Sequence, residues 1–393
     1  MTKDAQRMIF ERFGITPIIN AYGTNTRLSA GPLSDEVAEA MRAAASASVD
    51  ILDLQAAACR EITRATGAEA GFVTSGASAA LLLAAAACLT RLDAGAMNRL
   101  PATREGRCEF LISRSQRNMY DRAIETAGGR LVDVGIPDRV SGAGVRDASA
   151  AEFADAITPR TAGILHVAQP DAEPPLPEIA AVARAAGLPL IVDAAAQLPP
   201  AENLRRFFEQ GADLVAFSGG KALGGPQASG ILAGGGVLVA AALAQMLDLD
   251  LPAAQFHAPP EFAALSQLAF FPRTGIGRSC KVGREEVMGL LVALQIFTAE
   301  DAATRQARWQ ARLEAVRAAS GLDFEAGAAG EVPLLLLRCP DAPAVEARLR
   351  AGTPAVHVHP GRLRQGILTI NPISLHERDC ARLGELLRAA LAD

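Results

Sequence analysis

The sequence predicts an α/β protein with a mainly parallel, doubly wound sheet in a large domain and a smaller C-terminal α+β domain. Three observations lead there. From Gly71 onward, short β-rich runs alternate with Ala/Leu-rich stretches of helical spacing, the pattern of successive βαβ units. Connectors such as AAGLP and EQGAD place a glycine where a helix must end and the chain must re-enter the sheet. The 393 residues are 50% hydrophobic and 21% charged, a balance that supports buried cores in two domains rather than a disordered chain.

In chain order, strands are expected at residues 70–75, 109–113, 130–134, 163–168, 189–194, 214–218 and 229–234. Crossover helices fall over Ala77–Leu89, Asn118–Ala127, Ala150–Ile157, Pro177–Ala186 and Ala201–Gln210. After Gly234 the regularity breaks at Pro252, Pro259, Pro260 and Pro272, and a long helical pattern then runs from Lys281 through Phe297 to Ala318. Beyond it, EVPLLLLRC, APAVEARLRAG, AVHVHPG, GILTINP and the terminal HERDCARLGELLRAALAD alternate as strands and helices. The expected organisation is an arm over 1–25, a large domain over 26–280, an interdomain helix over 281–318 and a small domain over 319–393.

Charge and composition exclude several classes. The 43 acidic against 38 basic residues argue against nucleic acid as a partner, which a basic excess would favour. The six cysteines show neither CxxC nor Cys/His spacing, and so read as reduced, buried and cytoplasmic rather than as a disulfide framework. The opening MTKDAQRMIFERFG has no continuous apolar core, so no export signal is expected. The most apolar run, Ala77–Leu89, is shorter than the roughly 20 residues of a membrane span and reads as a buried helix.

Lysine occurs only at Lys3, Lys221 and Lys281, arginine supplying the other cations. Of the two, lysine alone can lose its proton near neutral pH and form a Schiff base, so the internal lysines are catalytic candidates. Lys221 lies in the Gly-rich turn of LVAFSGGKALGGPQASG, one strand after IVDA ends at Asp193. Both side chains then belong to the carboxyl edge of one parallel sheet, where ligands bind. A lysine that forms an imine and a carboxylate that keeps a ring nitrogen protonated are the requirements of a pyridoxal phosphate site. In FVTSGASAALLLA a strand runs directly into a helix. The free N–H groups and partial positive charge of a helix start suit a phosphate; Ser75, Gly76 and Ala77 are the expected cradle, and Ser218 adds a hydroxyl.

The segments INAYGTNTRL, DLQAAACREITRATGAEAGFVTSGASAAL, RNMYDRAIETAGGRLVDVG, IVDAAAQLPPAENLRRFFEQGADLVAFSGGKALGGPQASG and GRSCKVGREEVMGLLVALQ resemble the selenocysteine synthase-like family of fold type I pyridoxal phosphate enzymes. Within it, the chain is most similar to the branch containing D-glucosaminate-6-phosphate ammonia-lyase. The resemblance covers residues 14 to 300 and is most specific around Lys221. It implies Lys221 as the cofactor lysine, Asp193 as the pyridinium partner, and Ser75, Gly76, Ala77 and Ser218 as the phosphate site. It also implies a homo-oligomer, at least a dimer, with sites between subunits.

One departure stands out: the family's HRN reads Gln116, Arg117, Asn118 here. Gln116 can cover the cofactor ring with its amide plane but cannot stack as an aromatic or exchange a proton. Tyr120 either supplies a phenol in its place or packs in a helix. Arg278, in GRSCKVG, either binds a substrate carboxylate or phosphate through its planar guanidinium or is a surface arginine. Asn25, with Asn20, Tyr22 and Thr24, either reaches the active site or bonds within its own loop. His357 and His359 lack further ligands for a metal and read as structural or substrate-edge residues; His166 reads as a core histidine. Arg362 and Arg364 are further candidates for a substrate carboxylate.

The implied reaction starts with Lys221, released by an entering amino acid, acting as base at Cα. Loss of a β-hydroxyl then leads to a 2-keto product and ammonia, so a lyase acting on a β-hydroxylated or sugar-derived amino acid is expected. Racemisation or epimerisation, transamination and a non-catalytic cofactor-binding role are the alternatives. The family's tRNA-dependent selenium transfer is disfavoured, because the chain is acidic and enters the catalytic pattern almost at once.

Overall fold

The computed structural model describes residues 9–103, 106–136, 148–249 and 251–392; Lys3 and the first residues of the expected N-terminal arm lie outside them. The chain folds into two compact units, one of Ser34–Thr298 and one of Met1–Leu33 with Ala299–Asp393. It enters through β1 (Ile19–Ala21), which belongs to the second unit.

The Ser34–Thr298 unit begins with α1 (Asp35–Ala45) and α2 (Ile51–Thr66). It then follows the expected alternation through β2 (Ala70–Thr74), α3 (Ala77–Thr90), α4 (Ala94–Arg99), β3 (Glu109–Ser113), α5 (Arg122–Thr126) and β4 (Arg130–Val134). After these come α6 (Ala150–Asp155), β5 (Thr161–Val167), α7 (Leu176–Ala185), β6 (Leu190–Asp193), α8 (Asn203–Glu209), β7 (Leu214–Ser218) and β8 (Gly230–Gly234). The seven strands are ordered β2-β8-β7-β6-β5-β3-β4. Only β8 runs antiparallel to its neighbours; the remaining pairs are parallel. The central strands are mostly apolar and buried, as a sheet covered on both faces requires. Two features then position the site. From β3 the chain steps outward to β4 and returns on the other side through β5, β6 and β7, so a crevice opens between the carboxyl ends of β3 and β5. Because β8 doubles back on β7, the loop between them also lies at that edge.

Several local expectations are corrected. The helix expected at Asn118–Ala127 begins only at Arg122. Asn118 Oδ1 accepts from the N–H of Tyr120, and Asp121 Oδ2 accepts from the N–H of Asn118; these side chains replace the first helical turn. The irregular stretch expected after Gly234 opens with α9 (Gly236–Met246), buried almost throughout and packed on α3. Its uniformly apolar sequence carries no period to betray a helix. The helix expected over 281–318 is two, α10 (Arg284–Ala299) and α11 (Ala302–Ser320), separated where Asp301 turns extended and caps α11 through the N–H of Thr304.

In the second unit β9 (Glu325–Ala329), β10 (Val332–Arg338) and β12 (Ile367–Ile370) form an antiparallel sheet, and β1 pairs in parallel with β11 (Val356–Val358). Its other helices are α12 (Ala342–Ala351) and α13 (Cys380–Ala392). Leu313, Val316, Leu335, Leu368 and Leu383 share its core. The Ala/Gly composition of β9 hid it from the sequence pattern.

Candidate active site

Asp193 is the last residue of β6 and is buried. Its Oδ1 accepts the N–H of Ala195 at 3.0 Å. Burial pushes its carboxyl above the ordinary carboxylate range, against the opposing pull of that N–H and of the Lys221 charge. Burial likewise draws the Lys221 ammonium below its ordinary value, and Asp193 resists the shift. A lysine with a weakened hold on its proton is prepared to act as an amine nucleophile or base. A carboxylate desolvated beyond what its partners restore is a place for a ligand's positive N–H.

The Lys221 loop is held by small residues. Gly219 N donates to Ser229 O and Gly225 N to Gly219 O, both at 2.9 Å, and the Ser229 hydroxyl donates to Pro226 O. A Cβ on Gly219 would lie 2.3 Å from the Ser229 hydroxyl oxygen, so the turn closes only with glycine there.

Beside this loop, Gly76 stands at the cap position just before α3, and its φ of 123° favours glycine. No side chain caps it, which leaves the first N–H groups available to an anion. Gly230 is the register partner of both Thr74 and Ser218, and a Cβ on it would fall 2.6 Å from the Gly76 carbonyl carbon. Ser75, Gly76, Ala77 and Ser218 are thereby gathered around the start of β8. The Ser75 hydroxyl, however, donates to Cys280 O at 2.9 Å.

Gln116 ends the turn that leaves β3 and is buried. Its Oε1 accepts the N–H of Val167 across the crevice at 2.9 Å, and Val167 is the register partner of Asp193. The Nε2 of Gln116 has no hydrogen-bond partner among the described residues.

The remaining candidates are placed differently. Tyr120 is 54% exposed. Arg278 pairs with Asp248 at 3.0 Å and, with Lys281, Arg284 and His257, lines a cleft of about 840 Å³ that does not include Lys221 or Asp193. Asn25 belongs to the other unit, where its side chain accepts from Arg27 N. His359 packs against Tyr22 with ring centroids 5.0 Å apart and planes tilted by 52°, and accepts from Gly361 N. No group of three or more His, Cys, Asp or Glu among the described residues could hold a metal.

Two positioning residues escaped the sequence reading. Gln55, fully buried on α2, donates to Val73 O and accepts from Val73 N, each at 2.9 Å, pairing the open edge of β2 just ahead of the phosphate cradle. Its signal was a lone amide in an apolar helix face. Arg117 bonds to both Asp121 and Asp133 and so fixes the chain next to Gln116.

The SelA family model, described as L-seryl-tRNA selenium transferase, matches residues 18–247. The chain belongs to the selenocysteine synthase-like family. It is 30% identical to D-glucosaminate-6-phosphate ammonia lyase of Salmonella typhimurium, over 97% of each chain. It is 31% identical to 5'-C-glycyluridine monooxygenase-decarboxylase of a Streptomyces species, over 97% of this chain and 92% of that one. The solved structure of D-glucosaminate-6-phosphate ammonia-lyase superposes with a TM-score of 0.80 at 29% identity, covering 98% of this chain and 99% of that one. Ureidoglycine-glyoxylate aminotransferase of Bacillus subtilis, at 14% identity and a TM-score of 0.56 over 96% of this chain and 93% of that one, shares the fold.

The fold is that of the fold type I pyridoxal phosphate enzymes and the family's cofactor is pyridoxal phosphate. The residues fit that group on two counts: a buried carboxylate and a depressed lysine at one sheet edge, and an uncapped helix start beside them.

Proposed function

We propose that the chain is a pyridoxal phosphate-dependent lyase that eliminates water from a β-hydroxylated or sugar-derived amino acid and, by hydrolysis of the resulting enamine, releases ammonia and a 2-keto product. The observation that carries the reading is its end-to-end similarity to an ammonia lyase, joined to the Asp193–Lys221 pair at the site. Pyridoxal phosphate, when bound, supplies an aldehyde for imine formation and a ring that spreads the negative charge developed at Cα.

The protein's own groups do the rest. Lys221 attaches the cofactor and then, as a free amine, takes the Cα proton. The same proton is available to the leaving β-hydroxyl, so one group serves as base and acid. Asp193 keeps a proton on the ring nitrogen. The N–H groups at Gly76 and Ala77, with the Ser218 hydroxyl, bind the phosphate, and the Gln116 amide covers the ring. Arg278 binds an anionic group of the substrate remote from Cα, with Tyr120 as an outer substrate contact. Gln116 cannot exchange a proton, which favours elimination over inversion at Cα.

The working form is a homo-oligomer, at least a dimer, to be checked by sedimentation. All six cysteines are unpaired and no single helix among the described residues is long and apolar enough to cross a membrane; both support a cytoplasmic location. The deciding experiment incubates the holoenzyme with D- and L-β-hydroxy amino acids and amino sugar acids, without an amino acceptor. Ammonium and a 2-keto acid in equal amounts are expected. Neither product across the panel would reject the reading, and oxygen uptake with carbon dioxide release would place the chemistry with the Streptomyces relative instead.

A further inference from the structure

We infer that the side-chain N–H of Gln116 binds the α-carboxylate of the substrate, an inference that rests on the amino-acid lyase reading above. Gln116 is 4% exposed, and its amide has a fixed sense. The Val167 N–H, 2.9 Å away, can be accepted only by the side-chain oxygen, so the other end is necessarily the NH2 group. That Nε2 is buried and lacks a partner among the described residues. Native interiors seldom leave such a donor unpaired; at the mouth of a crevice, a ligand acceptor completes it.

Position narrows the acceptor. Val167 is the register partner of Asp193, so the amide is anchored one strand from the carboxylate assigned to the ring nitrogen. Lys221 reacts with the aldehyde carbon. The anionic oxygens that the substrate brings beside the reacting carbon are those of its carboxylate, the cofactor's own phenolate being present before any amine enters, and N–H donors bind charged acceptors most strongly. A neutral amide suits this task because it orients Cα for deprotonation by Lys221 without introducing a second base.

The test uses Gln116→Glu, which keeps an oxygen for the Val167 N–H and replaces only the donor. Holoenzyme is titrated with serine of each configuration and with ethanolamine, its counterpart lacking the carboxylate, by following the cofactor absorbance band. Whatever the new carboxyl does to the resting band, the variant is expected to bind serine about 10–100-fold more weakly relative to wild type than it binds ethanolamine. The serine deficit should shrink at lower pH, where the buried glutamic acid takes up a proton and again donates. If Gln116→Glu does not fold, Gln116→Asn, which retracts the same amide, should show the same selective loss. Equal losses for serine and ethanolamine, or no loss at all, would overturn the inference, the former by assigning the N–H to the cofactor. A wild-type protein with no cofactor band, or with a band that no amino acid moves, would instead overturn the underlying lyase reading and the inference with it.

Discussion

The hydroxyl of Ser75 donates to the carbonyl of Cys280 at 2.9 Å, joining the phosphate cradle to the turn that carries Arg278. A hydroxyl has one proton to give. On the proposed reading the cradle depends on main-chain N–H groups and on Ser218, while the Ser75 hydroxyl tethers the turn at Cys280. Ser75→Ala is expected to lower stability by about 0.5–1.5 kcal/mol and cofactor affinity by less than tenfold. Thermal melting of the apo and loaded protein checks both; a 100-fold loss of cofactor affinity would return the hydroxyl to the phosphate.

Lys221 and Asp193 should fail in distinguishable ways. Lys221→Ala is expected to cut turnover by about 10²–10⁴-fold and to remove the pyridoxyl group found on this lysine after borohydride reduction and peptide mass analysis. Asp193→Asn should keep that adduct and lose about 10²–10³-fold in rate, since an uncharged partner no longer holds the ring-nitrogen proton.

Gln55 is a structural prediction. Gln55→Leu leaves both the N–H and C=O of Val73 without their buried partner and should cost about 2–4 kcal/mol in chemical denaturation. A change below about 0.5 kcal/mol would show that water replaces the amide at the edge of β2.

His166 sets a pH signature. Burial lowers its pKa to about 4, against about 6.5 in the unfolded chain. Below pH 6.5 the unfolded state takes up a proton that the folded state refuses until about pH 4. Stability is thus fully present above pH 6.5 and falls through that window, by roughly 3 kcal/mol in all. Unfolding of wild type and His166→Phe across pH 4–8 measures it: the variant should show the shallower acid slope.

Asp248 competes for Arg278. The pair is partly exposed and contributes at most about 1 kcal/mol, so Asp248→Asn should leave the melting temperature nearly unchanged. The freed guanidinium should then bind anionic substrates several-fold more tightly, whereas Arg278→Gln should raise KM about 10–100-fold. Opposite signs for the two variants in steady-state kinetics are the expected result.

Much of this was legible in the chain. The strands over 109–113 and 214–218 lie where periodicity placed them, because strands buried on both faces must be short apolar runs bounded by turn residues. Lys221 and Asp193 stood out because lysine is so rare here and because strand ends at a parallel sheet's carboxyl edge collect ligand chemistry. Where local signals were weak or competing, the reading failed. The apolar uniformity of α9 has no period, and the side chains of Asn118 and Asp121 delay α5 by bonding to main-chain groups.

What the sequence by itself determined is the alternation of elements and the choice of Lys221 and Asp193 as the candidate pair, since both follow from local periodicity and from which side chain can form an imine. The tertiary structure alone decided the partners of polar groups far apart in the chain. It gave the Ser75 hydroxyl to Cys280, the Val73 main chain to Gln55 and the Gln116 oxygen to Val167, and it left Gln116 Nε2 with an unspent proton. Such pairings depend on strand order and register, which no single stretch of residues encodes.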